Sequence, residues 1–297
     1  MERDRRLAWL EKPTRAERLG VVLVLGFVVL AVLAPLWTVV ATSLATEAEI
    51  VQGGGLVLIP SRPSLDAYAT ILRGGVVTRA VLVSLGITLV GTPASVIATT
   101  ALAYALSRPI VGQRVMLAMI VLTLFFVPGI IPTYLLVKQL GLLNSYASLI
   151  VPVLMSAFNL IVMRQFFLEI PSELLDSARV EGAGELAILF RIVLPLSKAV
   201  LAVVALFYAV SYWNAFFSAL LYLNDTSMWP LQLVLRLYVL QRAPLAGAEG
   251  NLALDSPPPL QAIQMAVVVI AMLPVVIVYP LLQRFFIRGV LSGAIKG

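Results

Sequence analysis

The sequence predicts an all-α polytopic membrane protein with six transmembrane helices and both termini in the cytoplasm. The first observation is composition: 61% of the 297 residues are hydrophobic and 12% are charged, whereas about a quarter of a soluble domain is charged. The second is length, because several apolar runs exceed the roughly 18 residues that a helix needs to cross a bilayer. The third is the form of these runs, since a membrane β-barrel would show short segments of alternating polarity.

Six apolar runs define the predicted spans and assign the remaining segments to the two sides of the membrane. The spans cover residues 19–44, 80–106, 115–137, 146–163, 199–223 and 260–282. Residues 1–18 form a cytoplasmic N-terminal segment, and residues 19–297 form the transmembrane domain. The long segments between and after the spans are assigned as outer segments 45–78 and 224–259 and a cytoplasmic tail 283–297.

Two local features are predicted within these segments. Leu65, Tyr68 and Leu72 have helical spacing and predict a short amphipathic surface helix. The third span contains Pro128-Gly129, so we expect it to be kinked or broken there.

The distribution of basic residues predicts the orientation. Fifteen of the 21 Lys and Arg residues lie in segments assigned to the inside, and six lie in segments assigned to the outside. Basic residues concentrate in cytoplasmic loops of membrane proteins. The net charge of +6 is therefore explained by basic residues in cytoplasmic loops beside the membrane lipid. It does not predict a nucleic-acid partner.

The composition also excludes several functions. The chain has no Cys and no His, which excludes disulfides, His ligation of haem, Cys- or His-based zinc sites and Cys or His catalysis. It has no P-loop, so we predict no enzyme activity and no bound cofactor or metal. The proposed spans carry no Asp, Glu, Lys or Arg, which disfavours ion-coupled transport, although a sodium site built from backbone carbonyls stays open.

A charged loop, residues 169–196, interrupts the apolar pattern between the fourth and fifth spans. Ser172 is predicted as the N-cap of a first short helix. Gly182 and Gly184 end that helix, because glycine readily adopts the left-handed conformation. A second short helix runs from about Glu185 to Val193. An amphipathic loop without further role would also fit this pattern.

The spacing in this loop resembles a cytoplasmic motif of permease subunits of binding-protein-dependent ABC importers. That motif reads E-A-A, three residues, Gly, nine residues, Ile, one residue, Leu-Pro. The matching positions are Asp176, Ser177, Ala178, Gly182, Ile192, Leu194 and Pro195. Asp176 and Ser177 depart from the motif's Glu and Ala. The resemblance implies an ATPase-coupling role for these seven residues and for Arg179, Glu181 and Ala183.

The wider sequence, including Leu206–Arg236 and the tail, resembles MalG-type carbohydrate permeases and their LplC-like and alginate branch. This implies the MalG/MetI-like permease fold and a non-catalytic subunit in the bacterial cytoplasmic (inner) membrane that imports a carbohydrate, in this branch an oligosaccharide. The implied partners are a MalF-like second permease, two ABC ATPase subunits that bind ATP and Mg, and an extracellular or periplasmic solute-binding protein.

Uncharged polar residues in the spans are candidates for the substrate pathway. They are Tyr208, Ser211, Tyr212, Trp213 and Asn214 in the fifth span, Asn159 in the fourth and Thr123 in the third. Hydroxyl and amide groups beside aromatic faces suit a hydroxyl-rich solute, but the same groups also serve helix–helix packing. Since these spans lack basic residues, recognition of an acidic sugar would lie in the binding protein or the partner permease.

Two functions from other classes stay open at this point. One is an ion-coupled secondary transporter or channel that acts without an ATPase. The other is a non-catalytic membrane scaffold, which would bind an ATPase without substrate-dependent stimulation.

Overall fold

The computed structural model describes residues 14–126, 128–241 and 259–294, and the regular elements within these ranges are all helical. The all-α prediction is thus confirmed, and the predicted surface helix is α3. The α-helices are α1 (Arg15–Ser43), α2 (Glu47–Gln52), α3 (Asp66–Leu72), α4 (Val76–Leu106), α5 (Gln113–Phe125), α6 (Ile130–Gln139), α7 (Ala147–Ile150), α8 (Ala157–Leu168), α9 (Ser172–Val180), α10 (Glu185–Ile188), α11 (Leu194–Leu196), α12 (Lys198–Trp213), α13 (Phe217–Tyr222), α14 (Leu231–Gln241) and α15 (Leu260–Ala294). Short 3-10 turns cover Val151–Val153 and Thr226–Met228, and a π-helical turn covers Leu189–Val193.

The described chain forms two compact units. One contains residues 14–70 and 259–269, and the other contains residues 71–241 and 270–294. Most of the predicted N-terminal segment 1–18, part of the second outer segment (242–258) and the last three residues of the tail lie outside the described residues.

The first helix of the first unit is long, apolar and exposed. It begins at Arg15 because a capping box satisfies its first amides: Glu17 N–H donates to Thr14 Oγ1 at 3.3 Å, and Thr14 N–H donates to the Glu17 carboxylate at 2.7 Å. The helix therefore starts four residues before the predicted span. Every residue from 14 to 37 is exposed, and Trp37 at the end of this stretch donates from Nε1 to the Leu58 carbonyl at 2.8 Å.

The segment after α1 is folded by hydrogen bonds to its own backbone. Thr42 Oγ1 accepts from the Val57 N–H at 3.0 Å in the buried part of the unit. The Glu49 carboxylate accepts from the N–H groups of Thr46 at 3.0 Å and Ser61 at 2.6 Å. These donors, Thr46 first, lower the pKa of Glu49 to about 2.

The core of the second unit is a group of three helices, α4, α8 and α12, that pack side by side. Ser84, Ser95 and Thr99 on α4 are fully buried. Small residues at helix interfaces allow close approach of the backbones in membrane proteins. These three hydroxyls are paired: Ser95 Oγ lies 2.7 Å from Tyr212 Oη, Thr99 Oγ1 bonds Tyr208, and Ser84 Oγ accepts from the Leu231 N–H.

Breaks occur at three of the predicted spans. In the third, α5 ends at Phe125 and α6 begins at Ile130, which confirms the predicted break at Pro128-Gly129. The predicted fourth span corresponds to two helical segments, because Ala147–Val153 and Ala157–Leu168 meet at an angle of 51°. Helix α8 continues beyond Met163, the predicted end of that span, to Leu168.

The helices at the fifth and sixth predicted spans end at residues that differ from the predicted ends of the spans. Helix α12 stops at Trp213, and a separate helix, α13, follows within the predicted fifth span. Helix α15 extends through most of the predicted tail 283–297 and ends at Ala294. Pro274 and Pro280 lie within α15 and do not end it.

By length and composition, three helices of the described chain can cross a membrane, or five if each bent helix pair counts as one span. The three are α1, α4 and the Leu260–Val278 part of α15, and the pairs are Ala147–Val153 with α8 and Glu185–Leu196 with α12. The fold is thus that of a multi-pass helical membrane protein.

Candidate functional site

The end of α9 has the geometry that its glycine predicts. Gly182 has a φ of +85°, a left-handed conformation that side chains disfavour. Its N–H donates to the Arg179 carbonyl at 3.0 Å, and the Ala183 N–H donates to the Ala178 carbonyl at 2.9 Å. This pair of bonds is a Schellman motif, and it satisfies the last carbonyls of the helix. Gly182 therefore sets the sharp turn between α9 and α10.

The start of α9 differs from the prediction. Pro171, not Ser172, occupies the N-cap position, and no side-chain hydrogen bond caps the helix there. Ser172 is instead the first helical residue. The prediction of Ser172 as the N-cap is therefore wrong by one residue.

Arg179 organises the charged side of the loop. Its Nη1 atom is 2.8 Å from Asp176 Oδ1, and its Nη2 and Nε atoms are both 3.0 Å from Glu185 Oε1. Arg179 thus joins α9 to α10 across the glycine turn. These ion pairs are exposed and screened by solvent, so they bridge α9 and α10 but add little to stability.

The two helices have one buried side and one exposed side. Leu175, Ile188 and Val193 are buried in the core of the second unit. Of the motif residues, Ala178, Ala183, Ile192 and Leu194 pack against that core. The exposed side carries Ser177, Glu181 and Pro195 among the predicted coupling residues, together with the large apolar side chains Leu174, Val180, Leu186 and Phe190.

A π-helical turn, Leu189–Val193, comes directly before Pro195. Proline has no N–H and its ring clashes with the preceding turn of an α-helix. The wider π turn accommodates the proline, so the helical segment continues to Leu196 and does not close at Val193 as predicted. The chain then bends by 83° into α12.

A cleft at the break between α7 and α8 contains some of the predicted pathway residues. It has a volume of about 510 Å³. Asn159, Tyr208 and Ser211 line it together with Ser156 and the aromatic residues Phe158 and Phe207. Among the described residues, those that line this cleft carry no charge, so its walls offer amide, hydroxyl and aromatic groups.

The aromatic candidates Tyr208, Tyr212 and Trp213 also make contacts between helices. Tyr208 Oη lies 2.7 Å from Thr99 Oγ1 and accepts from the Ser156 N–H at 2.9 Å. Tyr212 bonds to Ser95, and Trp213 Nε1 donates to the Ala271 carbonyl at 2.9 Å. All three rings are buried.

The remaining two candidates do not line the cleft. Asn214 is exposed, and its side chain bonds the Val210 carbonyl and Gln232. Thr123 Oγ1 donates to the Ile120 carbonyl of its own helix at 2.7 Å. Among the described residues, no group of three or more acidic side chains is arranged to hold a metal ion.

Comparison with known proteins decides the family. The family described as "Binding-protein-dependent transport system inner membrane component" matches residues 67–292, which include the whole charged loop. The chain belongs to this family.

Individual relatives of this permease agree with that assignment. It is 43% identical to the polygalacturonan/rhamnogalacturonan transport system permease protein YtcP of Bacillus subtilis (strain 168), over 94% of this chain and 99% of the relative. It is also 43% identical to Protein LplC of the same organism, over 93% of each chain. The predicted resemblance to sugar permeases is confirmed.

A solved structure has the same fold. The permease superposes with a TM-score of 0.85 on a chain from the crystal structure of a bacterial ABC transporter involved in the import of the acidic polysaccharide alginate. The two are 31% identical, and the match covers 93% of this chain and 99% of that chain. This confirms the MetI-like permease fold.

Two residues of the permease's site region escaped the sequence analysis. Tyr104, near the end of α4, donates to Glu185 Oε2 at 2.6 Å, and Arg164 Nε donates to the Leu106 carbonyl at 2.8 Å. Both are far in sequence from the residues they contact. The one available signal was polarity: each is a polar residue near the end of an apolar run.

Proposed function

We propose that this permease is the membrane-spanning subunit of an ATP-driven carbohydrate importer, and that residues 169–196 form its coupling loop, which binds a separate ATPase subunit. In this proposal both termini and the coupling loop face the cytoplasm. The six spans are α1, α4, α5 with α6, α7 with α8, α12 with α13, and α15. Residues 1–18 precede the first span as a cytoplasmic segment.

The exposed apolar face of the coupling loop carries the proposal. Val180 is 89% exposed, and Leu174, Leu186 and Phe190 are also exposed. These side chains project from two short helices that a Schellman turn and Arg179 hold in a fixed arrangement. A small rigid helix with an apolar face suits a groove on another protein. Because the chain contains no P-loop, that protein is where ATP and Mg would bind.

The first span supports a second permease subunit as a partner. The apolar residues of α1 up to residue 37 are exposed. In a membrane such a surface faces lipid or another helix, and large apolar side chains that match a neighbouring helix gain packing energy there. We assign this neighbour to a MalF-like subunit.

The substrate assignment rests on the relatives and on the cleft. YtcP is named for polygalacturonan and rhamnogalacturonan, and the solved transporter imports alginate. The uncharged cleft, with Asn159 and Ser211 beside Phe158 and Phe207, suits the hydroxyl groups and apolar faces of sugar rings. We propose an oligosaccharide as substrate, delivered by a solute-binding protein that recognises any acidic groups.

Reconstitution tests the proposal against the secondary-transporter alternative. The permease is placed in proteoliposomes alone, and separately with its second permease, ATPase subunits and binding protein. We expect uptake of labelled oligosaccharide in the complete system with ATP, and none with the permease alone under a sodium or proton gradient. Gradient-driven uptake by the permease alone would contradict the proposal. ATPase binding without any solute-stimulated hydrolysis would favour the scaffold.

A further inference from the structure

Tyr104 lies at the contact between α4 and the coupling loop. It is 7% exposed and close to the end of α4. Its ring meets Phe167 of α8 edge to face, with 6.4 Å between ring centroids. The Arg108 guanidinium lies over the same ring, 4.8 Å from its centroid. These contacts fix the ring, so its hydroxyl points in one direction.

That hydroxyl meets Glu185, the first residue of α10. Tyr104 Oη donates to Glu185 Oε2 at 2.6 Å and lies 3.3 Å from the Glu185 carbonyl oxygen. The other carboxylate oxygen of Glu185 bonds Arg179. The hydrogen bond from Tyr104, and then the bond from Arg179, lower the pKa of Glu185, so the carboxylate is ionised at neutral pH.

Polar and apolar contacts both join the loop to the core. Among the described residues, Tyr104 on α4 donates a hydrogen bond to Glu185, the nearby Arg108 guanidinium also acts on that carboxylate, and the apolar residues of segment 172–196 pack against the core. Apolar contacts are non-directional, whereas a hydrogen bond to a charged group is short and directional. The position of α10 relative to α4 is therefore set by Tyr104 and Glu185.

We propose that Tyr104 is a positioning residue for coupling, which transmits displacement of the coupling loop to α4 through Glu185. This rests on the proposed function, since it assumes that an ATPase moves the loop. Helix α4 packs along α8 and α12, the two helices that line the cleft. A displacement passed to α4 therefore reaches the walls of the cleft, and the Tyr104–Glu185 hydrogen bond sets the amount of solute moved per ATP hydrolysed.

The experiment compares Tyr104→Phe with wild type in the complete reconstituted transporter. Solute uptake and ATP hydrolysis are measured in the same vesicles. We expect uptake per ATP to fall about tenfold, the factor that corresponds to one lost hydrogen bond to a charged group. Tyr134→Phe is the matched control, because the Tyr134 ring stacks on Tyr222 and has no described connection to the coupling loop; its ratio should equal that of wild type.

A double variant separates this role from simple loss of packing. Glu185→Ala should lower the ratio at least as far as Tyr104→Phe does, because it also removes the bonds to Arg179, and Tyr104→Phe combined with Glu185→Ala should lower it no further than Glu185→Ala alone. Additive losses would overturn the proposal, as would an unchanged ratio in Tyr104→Phe. If Tyr104→Phe does not reach the membrane, Glu185→Ala is measured in its place, because Glu185 is exposed. The quantity compared is again the solute uptake per ATP hydrolysed. If the proposed function itself were wrong, the wild-type transporter would show no ATP-driven uptake, a result that differs from an unchanged ratio in Tyr104→Phe.

Discussion

Gly91 of α4 lies directly against the ring of Tyr212 of α12. A Cβ atom at Gly91 would be 2.8 Å from both Cε2 and Cζ of that ring, closer than any stable contact. The ring cannot easily retreat, because Tyr212 is buried and its hydroxyl is hydrogen-bonded to Ser95. The absence of a side chain at Gly91 is therefore what allows α4 and α12 to approach each other.

The first prediction concerns this contact. Gly91→Ala should destabilise the folded permease by about 1–3 kcal/mol, the usual cost of overpacking a core. The measurement is the thermal unfolding midpoint of the purified protein in detergent. Gly86→Ala is the control, since a Cβ at Gly86 meets nothing within 4 Å; it should unfold at or above the wild-type temperature. Equal unfolding midpoints for Gly91→Ala and Gly86→Ala would contradict the close contact between Gly91 and Tyr212.

The second prediction concerns the turn after α9. Gly182→Ala strains the left-handed backbone by about 1–2 kcal/mol, although there is space for the added atom. We expect the variant to remain in the membrane with reduced uptake per ATP hydrolysed. Gly184→Ala should behave as wild type, because Gly184 has an ordinary φ of −72°, and Gly182→Asn should retain more coupling than Gly182→Ala. If Gly182→Ala and Gly184→Ala couple equally well, the turn has no part in coupling.

The third prediction separates helix packing from the substrate pathway. Tyr208→Phe removes the acceptor of the Ser156 N–H and the partner of Thr99. Leaving such buried groups unpaired costs about 1–3 kcal/mol, so the variant should unfold at a lower temperature in the absence of any sugar. A wild-type unfolding midpoint for Tyr208→Phe would show that this hydroxyl does not hold the two helices.

The fourth prediction concerns the cleft. Asn159→Ala and Ser211→Ala remove polar groups from its wall, so each should raise the substrate concentration for half-maximal uptake, by about fivefold for one lost neutral hydrogen bond. Asn214→Ala is the matched control, because Asn214 lies on the same helix end but does not line the cleft. The result to be measured is the concentration dependence of initial uptake rates. An effect confined to Asn214→Ala would place the pathway elsewhere.

Local signals in the sequence predicted much of this fold. Long apolar runs identified α1, α4 and α15, because hydropathy depends only on composition. Pro128-Gly129 predicted the break between α5 and α6, and Gly182 predicted the end of α9. In each case the cause lies within a few residues of the effect.

The features that sequence reasoning missed depend on tertiary contacts. The bend between α7 and α8 lies at residues 154–156, where Tyr208 accepts the Ser156 N–H; no proline or glycine occupies these three positions. The bond from Tyr104 to Glu185 likewise depends on how distant segments pack. Tyr208 and Ser211 lie three residues apart and both line the cleft, but Tyr208 is buried and Ser211 is exposed, a difference that depends on tertiary packing.

The placement of the coupling loop can be tested with one cysteine. The chain has no Cys, so Val180→Cys provides a single thiol at a position that is 89% exposed. In the complete transporter, we expect this thiol to react with a membrane-impermeant reagent only from the cytoplasmic side, and to cross-link to the ATPase subunit. Reaction from the outside in intact cells, without a cross-link to the ATPase, would contradict the account.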